Sequence, residues 1–246
     1  MKLSPETFEE AIVQTMQRIC FDRPSLWSVY EQHHVTREGA RVYAMEHCAF
    51  ADRFPSWFGN VIANCPHIEV RSYMIENMYV EEVKDPTIDA GHYGSLVDFT
   101  VALGVPELEV RAYKGDVYTI MALHYWDNMS RTRPWLEAFA AVAGLELFKN
   151  DDIRKKLGQP PVNAQRWAPL GMKGKVMDHW TAADAADLPE EGHGDATLKI
   201  LLKYSDTEAK QLAVLAALEE SMRVWMFRLD LMGRKAFEAS GIPVPA

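Results

Sequence analysis

Apolar residues recur along this chain at the three- and four-residue spacings of amphipathic helices, and almost no stretch shows the alternation of a strand. The pattern therefore predicts a protein built nearly throughout of α-helices. Ser4, followed by Pro5, is typical of a helix start, and so is Thr36. The predicted helices cover about residues 5–20, 36–65, 68–84, 92–103, 107–129, 134–148, 173–187, 193–203 and 206–240, with a looser region at 150–172.

The connections between these helices are short, as in a compact helical bundle. The only linker-like stretch is Gly158–Pro161, which we interpret as a loop inside a domain. Period-two patterning with β-branched enrichment is absent, so no sheet is expected. We predict one all-α domain over residues 1–246.

Composition and charge narrow the class of protein. With 48% apolar and 25% charged residues, the chain of 246 residues is expected to fold around a sizeable core. A net charge of −9 without a basic stripe argues against a nucleic-acid partner. The N-terminus lacks a secretory signal, and the longest apolar run is too short to span a membrane. Three widely spaced cysteines indicate reduced thiols, so we expect a cytoplasmic protein.

Four ionisable residues occupy positions that the helical period assigns to the core. Glu82 and Glu146 each lie three, four and seven residues after mostly apolar positions, and His92 and His193 precede similar stripes. A buried charge without a partner costs several kcal/mol, roughly, and metal coordination is one way to offset that cost. The alternatives are a hydrogen-bonded core histidine and a glutamate paired with a buried arginine. Glu81 competes with Glu82, since the two are adjacent.

The segment from His179 to Gly194 concentrates acidic residues and two histidines in an otherwise apolar chain. It is either a solvated loop or one wall of a metal site. Carboxylates and imidazoles that project inward from different helices are how helical carboxylate proteins hold two iron or manganese ions. Oxygen and nitrogen donors without thiolates suit those metals better than structural zinc. The two Glu-x-x-His pairs typical of ferritin-like bundles are absent from these core helices, and within this segment only Glu190 and His193 have that spacing.

The stretch ENMYVEEVKDPTIDAGHYGSLVDFTVALG resembles the core segment of the haem-oxygenase-like di-iron oxidases and oxygenases. Their superfamily includes relatives of pyrroloquinoline quinone synthase and thiaminase-II. PWLEAFAAVAGLELF and GHGDATLKILLKYSDTEAKQLAVLAALEES resemble later core helices of the same family. The resemblance implies a haem-oxygenase-like helical bundle of about seven core helices around a buried pocket.

The resemblance also implies a set of metal ligands, which here would be Glu82, His92, Glu146, His179, Asp187 and His193. Asp184 and Glu190 compete with Asp187. The compact family spacing H-x3-D-x2-H is absent: with His193 as its last residue, Glu190 stands at the Asp position and Ala186 at the position of the first His. An unbroken helix would place His179 and His193 about 21 Å apart, so both can be ligands only if the helix breaks near Pro189 and Gly192.

By resemblance, two iron ions, or manganese as the alternative, would use O2 as co-substrate. The substrate would be a small molecule such as an amino acid or another carboxylate, and the outcome N-oxygenation, desaturation or C–C cleavage. Arg133, Trp126 and Trp225 are the candidate substrate-binding residues, with core packing as the ordinary alternative for the tryptophans. An external electron donor and a homodimer are further expectations. A metal-free oxidase resembling the quinone synthase and a non-catalytic or hydrolytic helical binding protein are the competing hypotheses.

Overall fold

A computed structural model describes residues 1–33, 35–160, 162, 164–186 and 192–245, without the side chains of residues 33, 185 and 186. The α-helices are α1 Pro5–Met16, α2 Leu26–His33, α3 Arg37–Ala51, α4 Phe54–Asn64, α5 Ile68–Glu82, α6 His92–Ala102, α7 Glu107–Ala112, α8 Val117–Thr132, α9 Trp135–Val142, α10 Asp151–Lys156, α11 Asp178–Ala186, α12 His193–Tyr204 and α13 Glu208–Ala239. A π-helical turn covers Gln17–Phe21, and 3₁₀ segments cover Ala143–Phe148, Ala164–Leu170 and Gly174–Met177. The described residues contain no strand, so the prediction of an all-α protein is confirmed.

The helix starts predicted at Ser4 and Thr36 are confirmed by their capping hydrogen bonds, whereas the last helix, predicted from Asp206, is capped by Thr207. The Ser4 side chain accepts from the backbone N–H of Thr7, and the Thr36 side chain accepts from that of Gly39. Each bond satisfies one of the amide groups that a helix N-terminus leaves without an intrahelical partner. The local sequence is therefore sufficient to fix these two ends.

Two helices that were predicted as continuous are divided in the structure. The segment predicted over 36–65 breaks at Asp52–Arg53, and Pro55 lies in the first turn of α4, where its missing N–H costs nothing. The segment predicted over 107–129 breaks between α7 and α8, where Gly115 has a φ of +93°. That backbone conformation favours glycine because it has no Cβ.

The long helix α13 lies at the centre of the packing and contacts α2, α3 and α9. Its approach to α2 is close, since a Cβ added to Gly233 would lie 2.1 Å from the backbone nitrogen of Trp27. Large aromatic side chains, among them Trp57 and Trp126, are fully buried in the core of the protein. In the part of the chain that the structure describes, no helix is both long and apolar enough to cross a membrane.

The helix α6 connects the elements that carry the candidate site. It packs against α3, α5 and α11, while the 3₁₀ segment that follows α9 packs against α12 and α13. The start of α6 therefore brings residues from distant parts of the sequence to one place.

A candidate metal centre lined by histidines and glutamates

One cavity inside the bundle gathers six ionisable side chains from the described residues. Its lining residues are His47, Phe50, Ala51, Phe54, Glu81, His92, Glu146, Lys149, His179 and Ala183. The centres of water molecules can occupy about 60 Å³ of it. That volume suffices for several water-sized groups, so the cavity is suited to small ligands.

Glu81, rather than Glu82, faces this cavity. Val70, Met74 and Asn77 are buried on α5, and Glu81 continues that face, whereas Ile75 and Tyr79 are about half exposed together with Glu82. The prediction that Glu82 points inward is therefore wrong, and the competing residue Glu81 takes the place. The apolar spacing misled because α5 carries apolar residues on both faces.

His92 opens α6 and is held between two carboxylates. Its Nδ1 donates to Oε1 of Glu81 over 3.1 Å, and its Nε2 donates to Oδ2 of Asp85 over 2.8 Å. Burial alone would lower the pKa of His92, but the hydrogen bonds and charges of the two carboxylates outweigh burial and raise it to about 9. The same contact holds the pKa of Glu81 below its ordinary value in spite of burial. In the absence of a metal ion, this group is a charged carboxylate–imidazolium–carboxylate chain.

His179 lies on α11 and is anchored to the backbone of α6. Its Nδ1 donates to the carbonyl oxygen of His92 over 3.0 Å, which fixes the tautomer and leaves Nε2 with the lone pair. Burial and the charge of His92 lower the pKa of His179 to about 3. The imidazole is therefore neutral, which is the form that binds metals.

Glu146 reaches the cavity from the 3₁₀ segment after α9, and Lys149, which also lines the cavity, directly follows that segment. Burial raises the pKa of the Glu146 carboxyl, and the positive charge of Lys149 partly counteracts that effect. Glu146 therefore faces inward, as the helical period predicted.

His47 is a lining residue that the sequence analysis did not single out. It is 8% exposed on α3, and its Nδ1 is buried without a hydrogen-bond partner in the structure. Burial and the neighbouring His179 hold its pKa well below the ordinary value. The sequence carried a signal, because His47 continues the apolar stripe of Ala40, Tyr43 and Ala44.

His193, unlike His92 and His179, lies outside the cavity lining. His193 is the half-buried first residue of α12, and its carbonyl accepts from the Tyr73 hydroxyl over 2.9 Å. It does not line the cavity, although its charge helps to lower the pKa of Glu81. Because Gly192, which precedes α12, has an extended backbone (φ −70°, ψ 160°), His179 and His193 do not share one straight helix.

Among the carboxylates of the acidic segment, Asp184 is the one within the described residues. Its Oδ2 accepts from the backbone N–H of Ala164, and it does not line the cavity. Asp187 and Glu190 lie outside the described residues. If His179 were the first histidine of the family spacing H-x3-D-x2-H, its Asp and second His would fall on Ala183 and Ala186. One turn after His179, α11 therefore presents the methyl group of Ala183 to the cavity.

The three predicted substrate-binding residues lie away from this cavity, which corrects that prediction. Arg133 is half exposed at the end of α8, 3.8 Å from Glu137. Trp126 is fully buried and donates from Nε1 to Oγ of Ser221 over 2.9 Å. Trp225 packs behind the lining residue Phe50, with 5.3 Å between ring centroids. The cationic side chain that does line the cavity is Lys149.

As they stand, no three His, Cys, Asp or Glu side chains within the described ranges converge closely enough to hold a metal ion. The donor set nevertheless fits one, because three imidazoles and two carboxylates line the same cavity. Asp85 and the His92 carbonyl orient His92 and His179 from outside, which is how ligating histidines are usually held. The buried Nδ1 of His47, which lacks a partner, is a further donor.

Comparison with known proteins establishes the fold. A domain of unknown function with a heme oxygenase-like fold from Shewanella denitrificans OS217 superposes with a TM-score of 0.70 at 14% identity, over 100% of this chain and 99% of that one. A TenA homolog from Pseudomonas syringae pv. tomato str. DC3000 superposes with a TM-score of 0.64 at 10% identity, over 92% and 91% of the two chains. The protein therefore has a haem-oxygenase-like, all-α fold.

The sequence matches no protein-family model and no curated protein. At these identities the structural neighbours define the fold but not the chemistry, so the function must be argued from the cavity.

Proposed function

We propose that this protein is a non-haem iron enzyme that uses O2 to oxidise a small molecule. The observation that carries the proposal is that hydrogen bonds orient two histidines that line one cavity. Asp85 holds Nε2 of His92, and a backbone carbonyl holds Nδ1 of His179. Nδ1 of His92 faces the carboxylate of Glu81, and Glu146 lines the same cavity. This is the pattern of oriented imidazole and carboxylate ligands around a redox-active metal.

Each of these side chains has a defined task in the proposed site. Glu81, Glu146 and the imidazoles of His92 and His179 would hold the ion, with His47 as a further donor. Asp85 would keep the proton on Nε2 of His92, so that Nδ1 becomes the donor nitrogen. When bound, iron supplies the one-electron chemistry that allows O2 to react, and manganese is the alternative metal.

The apolar part of the lining has a separate role. Phe50, Phe54, Ala51 and Ala183 present no donors, so they limit the water that can reach the ion. The small cavity volume favours small substrates, in agreement with the amino acids and other carboxylates that the resemblance implies. Reduction of one O2 to water takes four electrons. In a reaction that removes fewer than four electrons from the substrate, an external donor would supply the rest.

Hydrolysis by a cysteine nucleophile is disfavoured by the thiols themselves. Cys20, Cys48 and Cys65 are buried, and none of them lines the cavity of His92. Burial raises the pKa of Cys20 to about 12 and that of Cys48 to about 11, so neither thiol would be a thiolate near neutral pH.

The proposal is tested by loading the protein with Fe²⁺ without oxygen, removing unbound metal and measuring bound iron, then O2 consumption with amino acids and other carboxylates. We expect bound iron and substrate-dependent O2 uptake, both lost in His92→Ala. His124→Ala removes an exposed histidine of α8 and should change neither. O2 uptake without any bound iron or manganese would instead favour a metal-free oxidase. If neither metal binds and O2 is not consumed, the enzymatic proposal fails.

A further inference from the structure

Within the proposed metal centre, the charges of the cavity differ from those of a two-ion site. Ferritin-like helical proteins that bind two divalent ions use four carboxylates and two histidines, and the two-ion ligand set that the resemblance implies for this chain has three carboxylates and three histidines. Among the described residues, the lining here has two carboxylates, three neutral or ligating imidazoles and one ammonium group. Imidazoles contribute donor atoms but no negative charge, so they cannot make up the difference.

The anionic groups of the site can be counted among the described residues. Glu81 and Glu146 line the cavity, and Asp85 is bonded to His92. Together they carry three negative charges when His92 is a neutral ligand. One divalent ion and the ammonium of Lys149 carry three positive charges, so the count is balanced. A second divalent ion would leave an excess of two positive charges in a largely buried site, which is unfavourable at low dielectric constant.

Geometry agrees with the charge count. Lys149 directly follows the 3₁₀ segment that carries Glu146, and both side chains line the same cavity. On α11, the cavity-lining residue one turn after His179 is Ala183, which has no donor atom. A second ion would therefore meet an ammonium on one side and a methyl group on another.

We propose that the site holds a single metal ion and that the ammonium of Lys149 takes the place of a second cation. The inference rests on the proposed function, because it presupposes that a metal binds. It departs from the two ions that the family resemblance implies. Lys149 acts here as a fixed counter-charge for Glu81 and Glu146 and not as a ligand.

Metal stoichiometry tests this proposal independently of activity. Protein loaded anaerobically with Fe²⁺, or with Mn²⁺, is desalted and its metal content measured per chain, and the electron paramagnetic resonance spectrum of the Mn²⁺ form is recorded. We expect one ion per chain and the spectrum of isolated Mn²⁺. Two ions per chain with a spin-coupled spectrum would overturn the single-ion inference and leave the proposed function standing. Absence of both metals would overturn the proposed function itself.

Substitution of the lysine tests its part directly. Lys149→Glu replaces the ammonium with a fourth carboxylate, so the metal content should rise from one towards two ions per chain. Lys155→Glu makes the same exchange at an exposed position of α10 and should leave one ion. If Lys149→Glu folds and still binds one ion, the ammonium does not limit the number of ions. If it fails to fold, the stoichiometry and spectrum of the unmodified protein still decide the question.

Discussion

Asp85 Oδ2 lies 2.8 Å from Nε2 of His92, although Asp85 belongs to the turn between α5 and α6 and not to the cavity lining. The other carboxylate oxygen of Asp85 accepts from the backbone and the hydroxyl of Thr87, so its position is fixed. The imidazole of His92 therefore has a rigid partner on the side away from the cavity.

This contact predicts that Asp85→Asn weakens metal binding without removing a ligand. Loss of the carboxylate that orients a ligating histidine typically costs about 10–100-fold in metal affinity, and we expect a loss of that size. Competition with a metallochromic chelator under anaerobic conditions measures it. Asp89→Asn, at an exposed position of the same turn, is the control and should bind metal normally. Equal affinities for the two variants would show that Asp85 does not orient His92.

The adjacent carboxylates of α5 form a matched pair. Glu81→Gln removes the negative charge that faces His92 and should abolish or strongly reduce metal binding. Glu82→Gln alters an exposed carboxylate and should leave metal content unchanged. Metal analysis of both purified variants checks the prediction. The reverse pattern would return the ligand role to Glu82, as the sequence period alone indicated.

Gly91 lies where the turn before α6 meets the end of α5. A Cβ at this position would lie 2.7 Å from the carbonyl oxygen of Glu81 and 2.7 Å from the carbonyl carbon of Glu82, so Gly91→Ala must push α6 away from α5. We expect the Glu81–His92 contact to separate and metal affinity to fall, as measured by chelator competition.

Gly94→Ala is the control on the same helix, because its Cβ would meet only the Cβ of Ala90, at 3.6 Å. It should bind metal as the unmodified protein does and gain slightly in stability, since alanine favours helix. Unchanged metal affinity in Gly91→Ala would mean that the approach of the two helices does not set the site.

Trp126 is predicted to be a core residue and not part of a substrate pocket. Its Nε1 donates to Ser221, whose hydroxyl in turn donates to the carbonyl of Ala141. Trp126→Phe should lower the free energy of unfolding by about 1–3 kcal/mol, through lost packing and a lost hydrogen bond. Denaturant titration measures the change, and metal content should not alter.

Arg133→Ala is the comparison, because this exposed side chain is expected to contribute within about 0.5 kcal/mol. A change in substrate affinity on Trp126→Phe, with stability preserved, would contradict the assignment of Trp126 to the core.

The three thiols should be unreactive in the folded protein. Burial raises the pKa of Cys20 to about 12 and that of Cys48 to about 11, and it also raises the pKa of Cys65. At pH 8 an aromatic disulfide reagent should therefore react slowly with native protein and rapidly after unfolding in guanidinium chloride. A thiol that reacts rapidly in the native state would revive the nucleophilic alternative.

The sequence by itself determined the helices, their capped starts and two of the inward-facing site residues. Local chemistry identifies the helix caps Ser4 and Thr36, and spacing identifies the inward direction of Glu146 and His92. Both features depend only on residues within a few positions along the chain. The division just before Pro55 and the division at Gly115 also had local signals, although the period alone favoured continuous helices.

Only the tertiary structure decided which polar side chains meet. The choice of Glu81 over Glu82 depends on which face of α5 is covered, and both faces carry apolar residues. The site also includes three residues that the sequence analysis did not single out: His47 on α3, Asp85 in the turn before α6 and Lys149 after the 3₁₀ segment that follows α9. These elements are distant in sequence, and only their packing brings the three residues together. Periodicity reports the inward direction of a side chain relative to its own helix, whereas convergence on a cavity depends on how separate helices are placed.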